Sequence, residues 1–209
     1  MTKEQIGIIS GMLVGIGFIP YMVRVWQGKI THESLTSWFL WSAIGFALLV
    51  TYDATGAKSN IWPAWGVFLD PTIIAIILIA KRKGRLRRPG MVDWICIVLC
   101  FCSLTGLCWF KVFAGASKEL AGYALYLAIL ADTCAAVPII IEAWKDPLHD
   151  RPFAWVMLVA GYFTDLYALP DWNFESYVLP ATICILYSIL ALPLVLRRIK
   201  LKYPLHQWI

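Results

Sequence analysis

Charge is the scarcest ingredient of this sequence. Charged residues make up 15% of the chain and hydrophobic residues 60%, against about 25% and roughly 45–50% in an ordinary soluble domain. A water-soluble fold of 209 residues could not hide that much apolar surface, so the composition excludes a cytoplasmic globular domain. Histidine is nearly absent: His32, His149 and His206 all fall outside the apolar runs. That removes the usual ligand for a metal held inside the membrane. There is no His-Glu-x-x-His, no Gly-x-Ser-x-Gly and no Gly-x-x-x-x-Gly-Lys-Ser, so neither a metalloprotease, an α/β-hydrolase nor a built-in ATPase is indicated, and no enzyme is expected. No cofactor is implied. The six cysteines, Cys96, Cys100, Cys102, Cys108, Cys134 and Cys184, all lie within apolar runs, where they read as small buried hydrophobes rather than a disulfide framework. Cys96 and Cys100 share a helix face and could join a metal site only with partners from elsewhere.

What the chain does have is long apolar runs. Seven are present, at residues 6–25, 38–51, 61–80, 94–113, 121–144, 153–169 and 177–196. A hydrocarbon layer of about 30 Å needs about 20 helical residues. The expected fold is therefore an all-α integral membrane protein of seven transmembrane helices. The first run lacks a basic leader and a small-residue cleavage site, and it carries Pro20 and Arg24, so it reads as a mature helix.

Basic residues sort by side. Lys3, Lys58, Lys111 and Lys118 lie on the side of the N-terminus, and the other fourteen Lys and Arg lie in the first, third and fifth loops and the C-terminal tail. The positive-inside rule then puts the N-terminus outside and the C-terminus in the cytoplasm, in an inner or plasma membrane of bacterial type. The basic stretch 81–88 is best read as a topology determinant meeting anionic lipid, and no nucleic-acid partner is expected.

The chain also repeats itself. Pro20 and Trp26 match Pro138 and Trp144 at an offset of 118; Trp38, Phe46, Pro63 and Lys81 match Trp155, Phe163, Pro180 and Arg198 at an offset of 117. Residues 1–81 and 118–209 thus read as two copies of a three-helix unit. Residues 82–117 supply the basic linker and a fourth helix, which returns the chain so that both copies point the same way. Parallel repeats of this kind place substrate between them near mid-membrane.

The stretch from Phe18 through Pro20 to Lys29, the following His32-Glu-Ser-Leu-Thr-Ser37 and the Trp-rich second helix resemble the SWEET and PQ-loop transporter superfamily. Tyr21 and Ile139 stand where that family's pattern has glutamine. The resemblance implies a three-one-three helix arrangement and transport of a small polar solute of the sugar, amino acid or vitamin class. Trp38 and Trp41 are also similar to the Trp-x-x-Trp pattern of nicotinamide riboside transporters. A seven-helix receptor or sensor on the same scaffold is the alternative; a retinal Schiff base would need a lysine in the last run, which has none.

The candidate residues follow from cost and shape. Asp70 sits mid-run before Pro71, and a carboxylate in hydrocarbon persists only beside a cavity or a partner; Pro71 also frees the Val67 carbonyl. Asp132 and Asp165 carry the same argument, and Tyr187 matches Asp70 in the second unit. Trp38, Trp41, Trp62 and Trp65 offer flat faces to a ring-bearing solute. Asn60 is expected to cap the third helix, and Pro20 and Pro138 are the hinge candidates. Gly7, Gly11 and Gly15 form a small-residue face that suits either packing within the bundle or a homodimer seam.

Overall fold

The computed structural model describes residues 1–29, 35–81, 86, 88–113, 118–148 and 150–208, with the backbone alone at 110–113, 118–120 and 206. Most of the basic stretch 82–87, together with His32 and His149, lies outside the described residues. The described residues form seven helices: α1 (Lys3–Gln27), α2 (Leu35–Ala54), α3 (Trp62–Ala80), α4 (Met91–Phe113), α5 (Lys118–Lys145), α6 (Pro152–Asp165) and α7 (Phe174–Lys200), then a 3-10 turn at Leu205–Gln207. Among the described residues there is no strand. Helix is what the apolar runs must adopt, because hydrocarbon offers no partner to a backbone N–H or C=O.

Six of the seven helices are long and apolar enough to cross a membrane. The exception is α6, whose 14 residues rise only about 21 Å at 1.5 Å each; residues 166–168 continue it as a turn. Apart from α3, which keeps nearly the bounds of its run, the other helices run longer than the apolar stretches suggest, with α2 starting at Leu35 and α7 at Phe174, because polar ends can stay helical beyond the hydrocarbon. The start of α1 is fixed by a capping box in which Thr2 and Gln5 exchange side-chain and backbone hydrogen bonds. Its end is fixed by Gly28 at φ 71°, a left-handed conformation that glycine adopts without strain.

Large apolar side chains point outward as well as inward. On α1, Met12, Ile16, Ile19 and Val23 are all exposed, a continuous stripe that only lipid would cover. The protein is thus an all-α, multi-pass membrane protein.

Two sets of three helices organise the bundle. In each the last helix packs against the other two, α3 on α1 and α2, and α7 on α5 and α6. The sets meet through α1 against α6 and α2 against α5, and α4 packs on α5 and α2. Exchanging α1, α2 and α3 for α5, α6 and α7 leaves these pairings within and between the sets unchanged.

The first set is drawn together by glycine. A Cβ on Gly7 would lie 1.8 Å from the Ser59 carbonyl oxygen, and one on Gly11 would lie 2.8 Å from Trp62 Cβ. Gly15 has nothing within 4 Å of such an atom. Two of the three positions considered for a dimer seam are therefore taken up by packing within the bundle. Asn60 does not cap α3 either: Ile61 occupies the N-cap without a side-chain hydrogen bond, while buried Asn60 donates to the Tyr52 hydroxyl. Pro63 opens α3 in its place, which costs nothing where an N–H would be unpaired.

Candidate functional site

Between the two sets lies a cavity of about 1070 Å³. It begins at the end of the bundle that carries Lys29, Arg151 and Tyr203 and reaches Asp70 and Tyr187, about midway along α3 and α7. A smaller depression of about 340 Å³ on α4 is lined only by apolar side chains such as Trp94 and Val98 and a methionine, Met91, and offers no chemistry.

Matched positions of the two sets line the larger cavity. Pro20, Tyr21 and Arg24 of α1 face it, as do Pro138, Ile139 and Glu142 of α5. Ser37, Trp38 and Trp41 of α2 are answered by Ala154, Trp155 and Leu158 of α6, and Asp70 of α3 by Tyr187 of α7. Pro20 and Pro138 lie inside α1 and α5 where these border the open space, and each removes an i→i−4 hydrogen bond.

Asp70 is 5% exposed, and its Oδ2 has no hydrogen-bond partner. A buried carboxyl oxygen without a donor is uncommon in a folded protein and leaves an acceptor free at that point. Beside it, the carbonyl of Val67, freed by Pro71, meets the α2 backbone: a Cβ on Gly45 would stand 2.4 Å from it.

Aromatic rings make the walls. Trp155 stacks on Tyr187 at 5.5 Å with an interplanar angle of 8°, and Phe18 meets Trp155 edge-on at 6.0 Å. On the other side Tyr21 and Trp38 are tilted at 5.5 Å. The Trp155 indole N–H donates to Asp150 at 2.7 Å, which fixes its ring plane.

Of the residues singled out from sequence, the cavity unites Asp70, Trp41, Tyr187, Pro20 and Pro138. Asp132 stands one step behind it, accepting a hydrogen bond of 3.2 Å from the Tyr187 hydroxyl. Trp62 and Trp65 lie elsewhere: they are 40% and 43% exposed at the start of α3, and Trp62 serves as the surface on which Gly11 packs. The cavity is lined instead by Trp38 and Trp41 of that group and by Trp155, which matches Trp38 at the offset of 117. Among the described residues no three His, Cys, Asp or Glu side chains converge on a metal geometry.

The mouth is basic. Arg24, Lys29, Arg151 and Arg198 line it, against Glu142 and Asp150. Burial, with Arg24 and Arg198 nearby, lowers the Arg151 guanidinium below its usual value, and Asp150 opposes the shift. Arg198 is structural: it donates to the carbonyls of Pro147 at 3.0 Å and Asp150 at 2.7 Å, pinning the loop that enters α6.

Chemically, the site can sandwich a flat or ring-shaped solute between indole and phenol faces while one carboxyl receives a hydrogen bond or a positive charge from it. Comparison with protein-family models, characterised proteins and solved structures gives no match, and the site stands on its own geometry.

Proposed function

We propose that this protein is a transporter or facilitator of a small polar solute, working by alternating access between two three-helix units of the SWEET and PQ-loop kind. The observation that carries the reading is the cavity itself. It lies between the two sets, is lined by corresponding positions of both, opens toward one end of the bundle and ends at a buried carboxyl with a free acceptor. A receptor pocket has no need of proline bends at corresponding points of two helices on opposite walls; a pair of units that rock about a central solute does.

With the basic loops in the cytoplasm, the state described is open inward. The matched helices suggest duplication of a single unit, with α4 as the inverting link. Orientation is checked by impermeant thiol reagents on intact cells: a cysteine at Thr2 should react and one at Gly90 should be shielded.

The test of function is uptake and counterflow in proteoliposomes across sugars, amino acids and vitamins. One solute class should move faster with the wild-type protein than with empty vesicles. Saturable binding without flux would favour the receptor.

A further inference from the structure

A second polar site lies beyond the floor of the cavity, in the half of the bundle that is sealed. Asp132 on α5 is 1% exposed, and while its Oδ1 accepts from Tyr187, its Oδ2 has no partner. Asp165, in the last turn of α6, is fully buried and its Oδ2 is likewise unmatched. The Tyr162 hydroxyl, 1% exposed and without a partner, interacts electrostatically with both carboxyls. Tyr162 is thus within electrostatic reach of a buried carboxyl on its own helix and of another on α5.

The charge balance of this site is informative. Around Asp165 stand Ser10 of α1, Tyr52 of α2, Asn60 of the α2–α3 loop and Cys184 of α7. Around Asp132 stand Tyr187 of α7 and Cys96 and Cys100 of α4. None of these groups is a cation, and among the described residues the structure gives neither carboxyl a Lys, Arg or His partner. Two ionised carboxylates cannot persist in that setting without a counter-charge. The hydrogen count points the same way. Ser10 has one hydroxyl hydrogen for two acceptors, the Gly7 carbonyl at 2.8 Å and Asp165 at 3.1 Å. A proton on Asp165 supplies the hydrogen that one of these contacts lacks.

We propose that Asp132, Tyr162 and Asp165 form a proton-binding site in the sealed half of the bundle, and that solute movement through the cavity is coupled to proton movement through it. On the cavity side, Tyr187 both lines the solute space and donates to Asp132. On the far side, Asn60 donates to Tyr52 and Tyr52 to the Ser176 carbonyl at 2.6 Å. The Ser176 hydroxyl then reaches exposed Asp171 at 2.6 Å. The site also straddles both units, since Ser10 belongs to α1 and Asp165 to α6. Opening that end separates Ser10 from Asp165 and admits water, so Asp165 exchanges its proton with that side. Once the end closes, the proton passes by way of Tyr162 to Asp132, and leaves by way of Tyr187 to water in the cavity.

The coupling rests on the transport reading; the proton site does not, and two measurements separate them. Infrared spectra of the purified full-length protein at neutral pH report protonated carboxyls by their C=O stretch. Asp132→Asn and Asp165→Asn should each remove one such band, in sodium and in choline buffer alike, while Tyr162→Phe should shift both bands and keep them. Carboxylates ionised at neutral pH overturn the proposal, and bands seen only without sodium replace the proton by a metal cation. In the second measurement, vesicles hold a pH-sensitive dye, a potassium–valinomycin clamp and the panel solutes on both sides. Wild-type protein should dissipate an imposed pH gradient several-fold faster than the Asp165→Asn variant. Solute counterflow without proton flux in the wild type overturns the coupling and leaves transport standing. No counterflow at all removes the transport reading and the coupling with it, while the infrared bands decide the proton site alone.

Discussion

The first three helices and the last three share pairings and proline positions, yet they are held together differently. In the first set α1 approaches α3 through Gly7 and Gly11, close enough that a Cβ would collide with Ser59 and Trp62. The positions that match them at the offset of 118 are Leu125 and Ile129, both buried large side chains. The cavity repeats the contrast: matched positions keep their place and change their chemistry, as Asp70 against Tyr187 and Arg24 against Glu142. Backbone geometry is what the two sets have in common, and side-chain chemistry is where they have been specialised.

The sharpest way to break this comparison is to give one set the packing of the other. Gly7→Leu places the second set's residue where a Cβ alone would meet the Ser59 carbonyl oxygen at 1.8 Å. Backbone cannot retreat as a side chain can, so the variant should fail to accumulate as folded protein, read by size-exclusion in detergent. Its reciprocal, Leu125→Ala, removes a side chain with no exposure and should cost about 2–5 kcal/mol, read by thermal unfolding. Gly15→Ala, with open space around it, should change neither. A Gly7→Leu protein that folds normally would mean that α1 and α3 are not in this close contact.

Next in size is the chemical asymmetry at the cavity floor. Asp70→Asn keeps the shape and puts a donor where a buried acceptor stood. A solute donor left unpaired there costs about 1–3 kcal/mol, so solute affinity should fall about fivefold to a hundredfold. Tyr187→Phe keeps the stack on Trp155 and loses only the bond to Asp132, which should cost about 1 kcal/mol. Equal losses from the two variants, measured by equilibrium binding, would show that the floor is not asymmetric.

The sequence made the fold class legible because lipid imposes a length and a composition on every spanning helix, and those are written one residue at a time. Asp70 was legible for the same reason: a carboxyl in hydrocarbon announces its own cost. Which tryptophans face inward was not. Trp38, Trp41, Trp62 and Trp65 look alike in the chain, and the facing of Trp62 and Trp65 depends on how α3 rotates against α1, which Gly7 and Gly11 decide by contact with Ser59 and Trp62. The sixth run is short in the chain too, but where α6 ends was hidden, because residues 166–169 are apolar enough to continue a run although the chain turns there. Asn60 misled for a local reason. Its position suits a cap, but Tyr52 offers a buried partner that a cap does not.

A smaller effect separates the two indoles. Trp155 makes a stacked contact with Tyr187, an edge contact with Phe18 and a hydrogen bond to Asp150, whereas Trp38 is tilted against Tyr21. Trp155→Ala should therefore weaken binding more than Trp38→Ala. A double-mutant cycle between Trp155 and Tyr187 should return a coupling of about 1 kcal/mol. A cycle that closes to zero would mean that the stack contributes area alone.

The smallest expected effect tests what the two sets share. Pro20 and Pro138 each leave a carbonyl without its helical donor, that of Ile16 in α1 and that of Cys134 in α5, and each borders the cavity. Replacing either by alanine restores the N–H and straightens the helix, which favours the resting bundle. The same change removes the point at which the helix bends as the units rock. Stability and turnover should therefore move in opposite directions. Pro20→Ala and Pro138→Ala should each raise the thermal midpoint modestly and slow solute counterflow a few-fold, without changing the affinity measured at equilibrium. If the bends are equivalent, the two variants should be alike and the double variant slower than either. A loss confined to one proline would assign the moving hinge to one set and make the other a fixed support. Faster counterflow in both would show that the prolines brace the bundle rather than let it bend.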